Sequence, residues 1–274
     1  MKSCFNTITA GRHRPLEEII RWSGQAGFAA LEIDQNHITE SLTRISMHEL
    51  KTRIGDAGLK TASIMAFDLA PLDEAGPGIA KIKEGTEFAR ELGAPILLVY
   101  CAINIPKEMS MDEALNRAAE RTAEYAKVAN PIAIGLEPIG RTTLMGGPAA
   151  ALETAARSRQ ANVGIVMDTF HFYLSQIPDA ELRAIPREKL LLVHVNDAEN
   201  LPVEKLRDGH RLHVGLGVLP LVDTFRTLKE IGYDGFLSIE LFREEYWDQP
   251  VEQIVLEAKR SLDAVLAKAG LPPG

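Results

Sequence analysis

The sequence predicts an α/β fold, a single-domain (β/α)8 TIM barrel spanning residues 1–274. Three observations predict it. Eight short apolar runs, rich in Ile, Val, Leu and Ala, alternate with eight segments of helical spacing. Glycines stand where several helical segments stop, at Gly27, Gly58, Gly93 and Gly232. No long linker or shift in composition divides the chain. Strands alternating with helices pair in parallel through right-handed crossovers. Eight such units in a chain of about this length close into a barrel. An open doubly wound sheet is the competing architecture. No Gly-rich phosphate loop of the GxGxxG or GxxxxGK[ST] type follows any strand.

Taken in order, residues 2–6 read as the first strand, ending in polar Asn6 and Thr7. Pro15 suits a first helical position, and Leu16, Ile19, Ile20 and Ala26 keep helical spacing up to Gly27. Residues 29–33 form the second strand, ending at Asp34. Ser46 with Glu49 three residues on is a capping-box pattern, which opens a helix to about Ala57. Residues 61–66 form the third strand, 71–78 a loop and 79–92 a helix. The fourth strand covers 95–100, and the Ala- and Glu-rich segment 111–129 is helical. The fifth strand covers 132–136 and ends in Glu137-Pro138; a helix follows over 148–156. The sixth strand, 163–167, is apolar throughout and stops abruptly at Asp168-Thr-Phe-His171. A short helix spans 179–185, and the seventh strand, 190–195, carries His194. The polar loop 196–217 is long for a compact domain and marks a functional segment. A helix over 219–231, the eighth strand over 236–239 ending in Glu240, and a helix over 251–266 complete the chain.

Composition excludes several classes. Hydrophobic residues make up 46%, enough for a sizeable core. The formal net charge is −8 with no Lys/Arg cluster, so nucleic acid is not an expected partner. No apolar run approaches the roughly 18 residues that span a bilayer, and no basic-then-apolar leader precedes the first strand. The two cysteines, Cys4 and Cys101, form no CxxC pair and read as small buried residues of a reducing compartment. A cytoplasmic protein is expected. Its apolar helix faces would serve a core or a homo-oligomeric contact equally well.

A parallel barrel brings the carboxyl ends of its strands to one face. There the chain places Asn6, Asp34, Phe67, Tyr100, Glu137, Asp168, His194 and Glu240. The last four end strands five to eight and would be neighbours on one rim. Taken singly, each has a plain reading: a strand-end carboxylate often caps the next helix, and a lone histidine is often a satisfied core residue. Taken together, three carboxylates a few ångströms apart repel strongly in a low-dielectric site, and a divalent cation resolves that repulsion. Oxygen ligands with one imidazole suit Mn, Mg, Co or Zn, and the lack of thiolates disfavours a structural zinc site. Such an ion could chelate the carbonyl and adjacent hydroxyl of a sugar-like substrate and stabilise the enediolate formed by proton loss. Glu137 and Glu240 could then remove and return the proton. With a leaving hydroxyl at the β-carbon, the same step becomes a dehydration.

Several stretches carry a family resemblance: 1–6, Leu136-Glu-Pro-Ile-Gly140, Val166-Met-Asp-Thr-Phe-His-Phe172, Val193-His-Val-Asn-Asp197, 210–217 and 228–243. With these the chain resembles the xylose-isomerase-like barrel superfamily of sugar isomerases and epimerases, and within it the inosose (2-keto-myo-inositol) isomerases. The resemblance implies that one divalent metal is held by Glu137, Asp168, His194 and Glu240, with Glu137 and Glu240 also catalytic. It implies substrate contacts from His171, in the Asp-Thr/Ser-x-His motif, and from Arg211, in the seventh loop. Asn6, Tyr100 and Trp247 are candidates to line the pocket. The family loop often reads Arg-x-x-Pro-Gly-x-Gly; here Val214 takes the proline's place. The expected partner is a small keto-sugar or keto-inositol. Competing readings are a lyase on the same scaffold, such as a 3-dehydroshikimate dehydratase, a non-catalytic carbohydrate-binding barrel, and a DNA-repair endonuclease. The acidic charge and the ligand count disfavour the last.

Overall fold

A computed structural model describes residues 1–274. Eight parallel strands close the barrel: β1 Lys2–Asn6, β2 Ala30–Asp34, β3 Lys60–Asp68, β4 Ile96–Cys101, β5 Ala133–Pro138, β6 Val163–Asp168, β7 Leu190–Val195 and β8 Phe236–Ile239. Each pairs with its neighbours in chain order, and β1 closes the ring against β8. Every predicted strand is present. Helices cover the outside, and most of the buried apolar side chains pack between the strands and those helices.

The barrel interior is layered. Cys4, Ala30, Ala62, Met65, Ile96, Leu98, Val166 and Leu192 form a separate apolar cluster inside it. Side chains alternate faces along a strand, so the residue two positions on faces the same interior one layer higher. Two residues past Cys4, Ala30, Leu98, Val166 and Leu192 stand Asn6, Glu32, Tyr100, Asp168 and His194. A dry floor therefore supports a polar layer at the carboxyl ends of the strands. Cys4 and Cys101 are free and buried, and Cys4 belongs to the floor.

The outer elements differ from expectation in several places, a short helix Glu244–Trp247 among them. Helices Gln35–Ser41 and Thr169–Leu174 follow β2 and β6 directly. Each is nucleated by the strand-end carboxylate: Asp34 accepts from Asn36 N–H at 2.7 Å, and Asp168 accepts from Phe170 and His171 N–H at 2.6 and 3.1 Å. The helix expected from 79 begins earlier, at Ala75–Leu92, inside the expected loop. Gly76-Pro-Gly78 reads as loop chemistry, yet Pro77 lies in the first turn, where its missing N–H breaks no bond. Gly78 is required by close approach, since a Cβ there would lie 1.9 Å from the Tyr125 hydroxyl.

The long loop after β7 is ordered. Asp197–Ala198 and Arg211–Leu212 form a short antiparallel ribbon. The buried Asp197 carboxylate ties the loop together, accepting from Gly215 N–H at 3.0 Å and Leu219 N–H at 2.8 Å. No helix is long and apolar enough to cross a membrane.

Candidate metal centre

Glu137 is the penultimate residue of β5, Asp168 ends β6, His194 lies on β7 and Glu240 directly follows β8. Asp168 and His194 are register partners across β6 and β7. The four offer one ligand atom each, all within 4.8 Å of one another, and all four residues are buried. His194 Nδ1 faces the cluster, 2.9 Å from Glu137 Oε1, 3.2 Å from Glu240 Oε2 and 3.7 Å from Asp168 Oδ2. Three converging carboxylates and one imidazole nitrogen are a donor set that fits a divalent cation.

The electrostatics express the same crowding. Burial pushes Glu137 up to about 7, and the Glu240 and Asp168 charges add to that, against the lowering effect of His194. Burial disfavours the His194 imidazolium, but Glu240, Glu32 and Glu137 outweigh it and raise the group well above the ordinary histidine range. Burial would raise Asp168 too, yet Arg211, His171 and His194 hold it well below the carboxylate range.

Arg211, expected at the substrate's side, is instead drawn into the carboxylate cluster. Its guanidinium is 1% exposed and donates from Nη1 to Asp168 Oδ2 at 2.7 Å and to Glu240 Oε2 at 3.0 Å. Nη2 reaches Asp208 Oδ1 at 2.9 Å and His171 Nε2 at 3.2 Å. The ring faces of Phe170 and Phe242 lie 4.9 and 5.2 Å from the guanidinium carbon. Burial lowers His171 to about 4, so its ring is neutral at pH 7. With Nε2 accepting from Arg211, the proton sits on Nδ1, which has no partner although it is buried.

Asn6 differs from its expected place at the substrate's side. It is fully buried; its Nδ2 donates to Glu32 Oε2 at 3.1 Å and Glu240 Oε1 at 3.2 Å, and its Oδ1 accepts from Ile8 N–H at 3.1 Å. Every polar atom is committed, and the amide braces two carboxylates. Tyr100 is half-buried and is the register partner of Glu137. Trp247 packs over Gly11 instead, outside the cluster.

Glu32 is the residue that sequence reasoning missed. It is fully buried in the middle of β2, and its carboxylate accepts from His194 Nε2 at 2.8 Å, Ser238 Oγ at 2.7 Å and Ser63 Oγ as well as from Asn6. The signal was present in Ala29-Ala-Leu-Glu-Ile33, because a carboxylate inside a strand buried on both faces demands partners.

A groove of about 770 Å³ lies elsewhere, outside the barrel between helices Thr169–Leu174, Asp179–Arg183 and Leu221–Glu230. Its charged side chains are already paired with one another, Arg183 with both Asp179 and Glu230, so it offers no converging free polar group.

A family model described as xylose isomerase-like TIM barrel matches residues 20–265. The chain belongs to the xylose isomerase-like TIM-barrel family. Among curated relatives, an inosose isomerase of Bacillus velezensis is 26% identical over 279 residues, covering 98% of both chains. A 3-dehydroshikimate dehydratase of Pseudomonas aeruginosa is 24% identical, covering 90% of this chain and 39% of the relative. A crystal structure of an IolI protein with a bound zinc atom superimposes with a TM-score of 0.89 at 25% identity, covering 98% of this chain and 99% of that one. This family member is thus similar along nearly its whole length to inosose isomerases, and it also resembles a dehydratase built on the same scaffold.

Proposed function

We propose that this chain is a metal-dependent isomerase or epimerase of a keto-sugar or keto-inositol, working by proton transfer through an enediolate, with inosose as the specific substrate. One observation carries the reading: Glu137, Asp168, His194 and Glu240 converge, buried, at the carboxyl ends of adjacent strands. The inosose isomerase relative and the zinc in the IolI structure support it. Glu137, Asp168, His194 and Glu240 would hold one divalent ion, Zn, Mn, Co or Mg. When bound, the ion supplies Lewis-acid chemistry that makes the proton beside a ketone more acidic.

The remaining work falls to side chains. Glu137 and Glu240 stand on well-separated strands and flank the reacting carbon. One takes its proton and the other returns it. The Nδ1–H of His171, buried without a partner, would hold a substrate oxygen, and Arg211, whose N–H groups already meet Asp168, Glu240, Asp208 and His171, orients His171 and the carboxylates. Protein loaded with zinc or manganese and incubated with inosose in deuterated water should place deuterium next to the carbonyl. Turnover without deuterium uptake would sink the mechanism. The second reading, a lyase, has the dehydratase relative in its favour. With 3-dehydroshikimate a lyase yields an aromatic acid absorbing strongly in the ultraviolet; the isomerase yields none.

His171→Ala should lower turnover or substrate affinity while leaving metal content nearly intact, as measured by elemental analysis. An emptied site would make His171 a ligand. Metal affinity should fall with pH: a proton on Glu137, held to about pH 7, and the proton of the His194 imidazolium both compete with the ion. Below pH 7 each unit is expected to weaken zinc binding by about tenfold or more. Calorimetry in two buffers of different ionisation enthalpy should count at least about one proton released per zinc at pH 7. A count near zero would contradict the raised Glu137.

A further inference from the structure

We infer that Glu32 is a positioning residue for the metal centre, fixing His194 in the tautomer that presents Nδ1 to the other ligands. The geometry forces the choice. Three donors, from Asn6, Ser63 and Ser238, converge on the Glu32 carboxyl group beside His194 Nε2. A carboxylate meeting only donors stays ionised and acts as acceptor throughout. The contact at 2.8 Å to His194 Nε2 is therefore an N–H donated by the imidazole. Once Nδ1 gives up its proton to an ion, the imidazole is neutral and carries one N–H, on Nε2. Its remaining lone pair is on Nδ1, which lies 2.9 to 3.7 Å from oxygens of Glu137, Glu240 and Asp168. A carboxylate behind a ligating histidine also raises the basicity of the ligating nitrogen. The brace is itself braced. Ser238 is the register partner of His194 on β8, and Ser63 reaches Glu32 from β3, so β2, β3, β7 and β8 together set the ring's orientation. Asn6 couples the brace to the cluster by bonding both Glu32 and Glu240.

The role rests on the proposal that the four residues bind a divalent ion, and the test separates the two claims. Zinc affinity is measured by chelator competition on wild type and on Glu32→Gln. Wild type that binds no zinc sinks the metal reading. With wild type binding, Glu32→Gln should raise the zinc Kd about 10- to 100-fold. A merely structural Glu32 would lower the urea midpoint and leave the zinc Kd of the folded variant within twofold, which overturns the inference. A second measurement needs no variant of Glu32. Long-range proton–nitrogen NMR of zinc-loaded, ¹⁵N-histidine-labelled wild type should show the His194 ring protonated at Nε2 and unprotonated at Nδ1, the resonance being assigned by its loss in His194→Gln. The opposite tautomer would also overturn it.

Discussion

Glu240→Gln is expected to lower turnover at least about 10²-fold, the loss typical when a positioned proton-transfer group is removed. The substitution keeps volume, so packing survives; chemistry does not. Oε2 of Glu240 lies 3.2 Å from His194 Nδ1 and accepts from Arg211 Nη1 at 3.0 Å, while Oε1 accepts from Asn6 Nδ2 at 3.2 Å. Both oxygens thus face donors. A glutamine must turn its NH2 toward either Arg211 or Asn6, and each choice sets donor against donor. The variant loses a proton acceptor, a metal ligand charge and one brace of the pocket at once. Steady-state kinetics alongside metal analysis would show the loss persisting after metal is restored in excess. Recovery of near-wild-type turnover on adding metal would show that Glu240 acts through the ion alone.

Asp168→Asn is expected to weaken zinc binding by at least about 10²-fold and to destabilise the chain by about 2 kcal/mol, the scale of a buried hydrogen bond to a charged group. Asp168 serves two purposes, and the substitution separates them. Its Oδ1 caps the helix Thr169–Leu174, a task asparagine performs as well. Its Oδ2 meets the Arg211 guanidinium at 2.7 Å, and an amide cannot supply that charge. Arg211 keeps Glu240 and Asp208, which limits the cost to below that of an isolated buried cation. Urea unfolding measures the second effect and chelator competition the first. Unchanged zinc affinity in a folded Asp168→Asn protein would remove Asp168 from the ligand set.

Several parts of this protein were legible in the sequence because the physics behind them is local. Apolar runs of strand length, alternating with helical spacing and closed by glycines, specify parallel units, and eight of them specify a barrel. The four cluster residues stood out because each lies at the carboxyl end of an apolar run, and a parallel barrel gathers strand ends on one face whatever the loops do. The helices after β2 and β6 were less visible. Their signal is a carboxylate cap, which reads equally well as the last residue of a strand.

The sequence by itself determined the barrel, the rim on which Glu137, Asp168, His194 and Glu240 meet, and the likeness to a family of sugar isomerases. Only the tertiary structure decided what each polar side chain on that rim holds. It turned Asn6 from the substrate toward Glu32 and Glu240, placed Glu32 behind His194, and buried Arg211 against Asp168 and Glu240. The physical reason is range. Secondary structure follows from periodicities of a few residues, whereas Glu32 and His194 are 162 residues apart and meet at 2.8 Å only once the barrel has closed. Their pairing depends on register across strands and on the height of each side chain above the apolar floor, and neither quantity exists until the ring is complete.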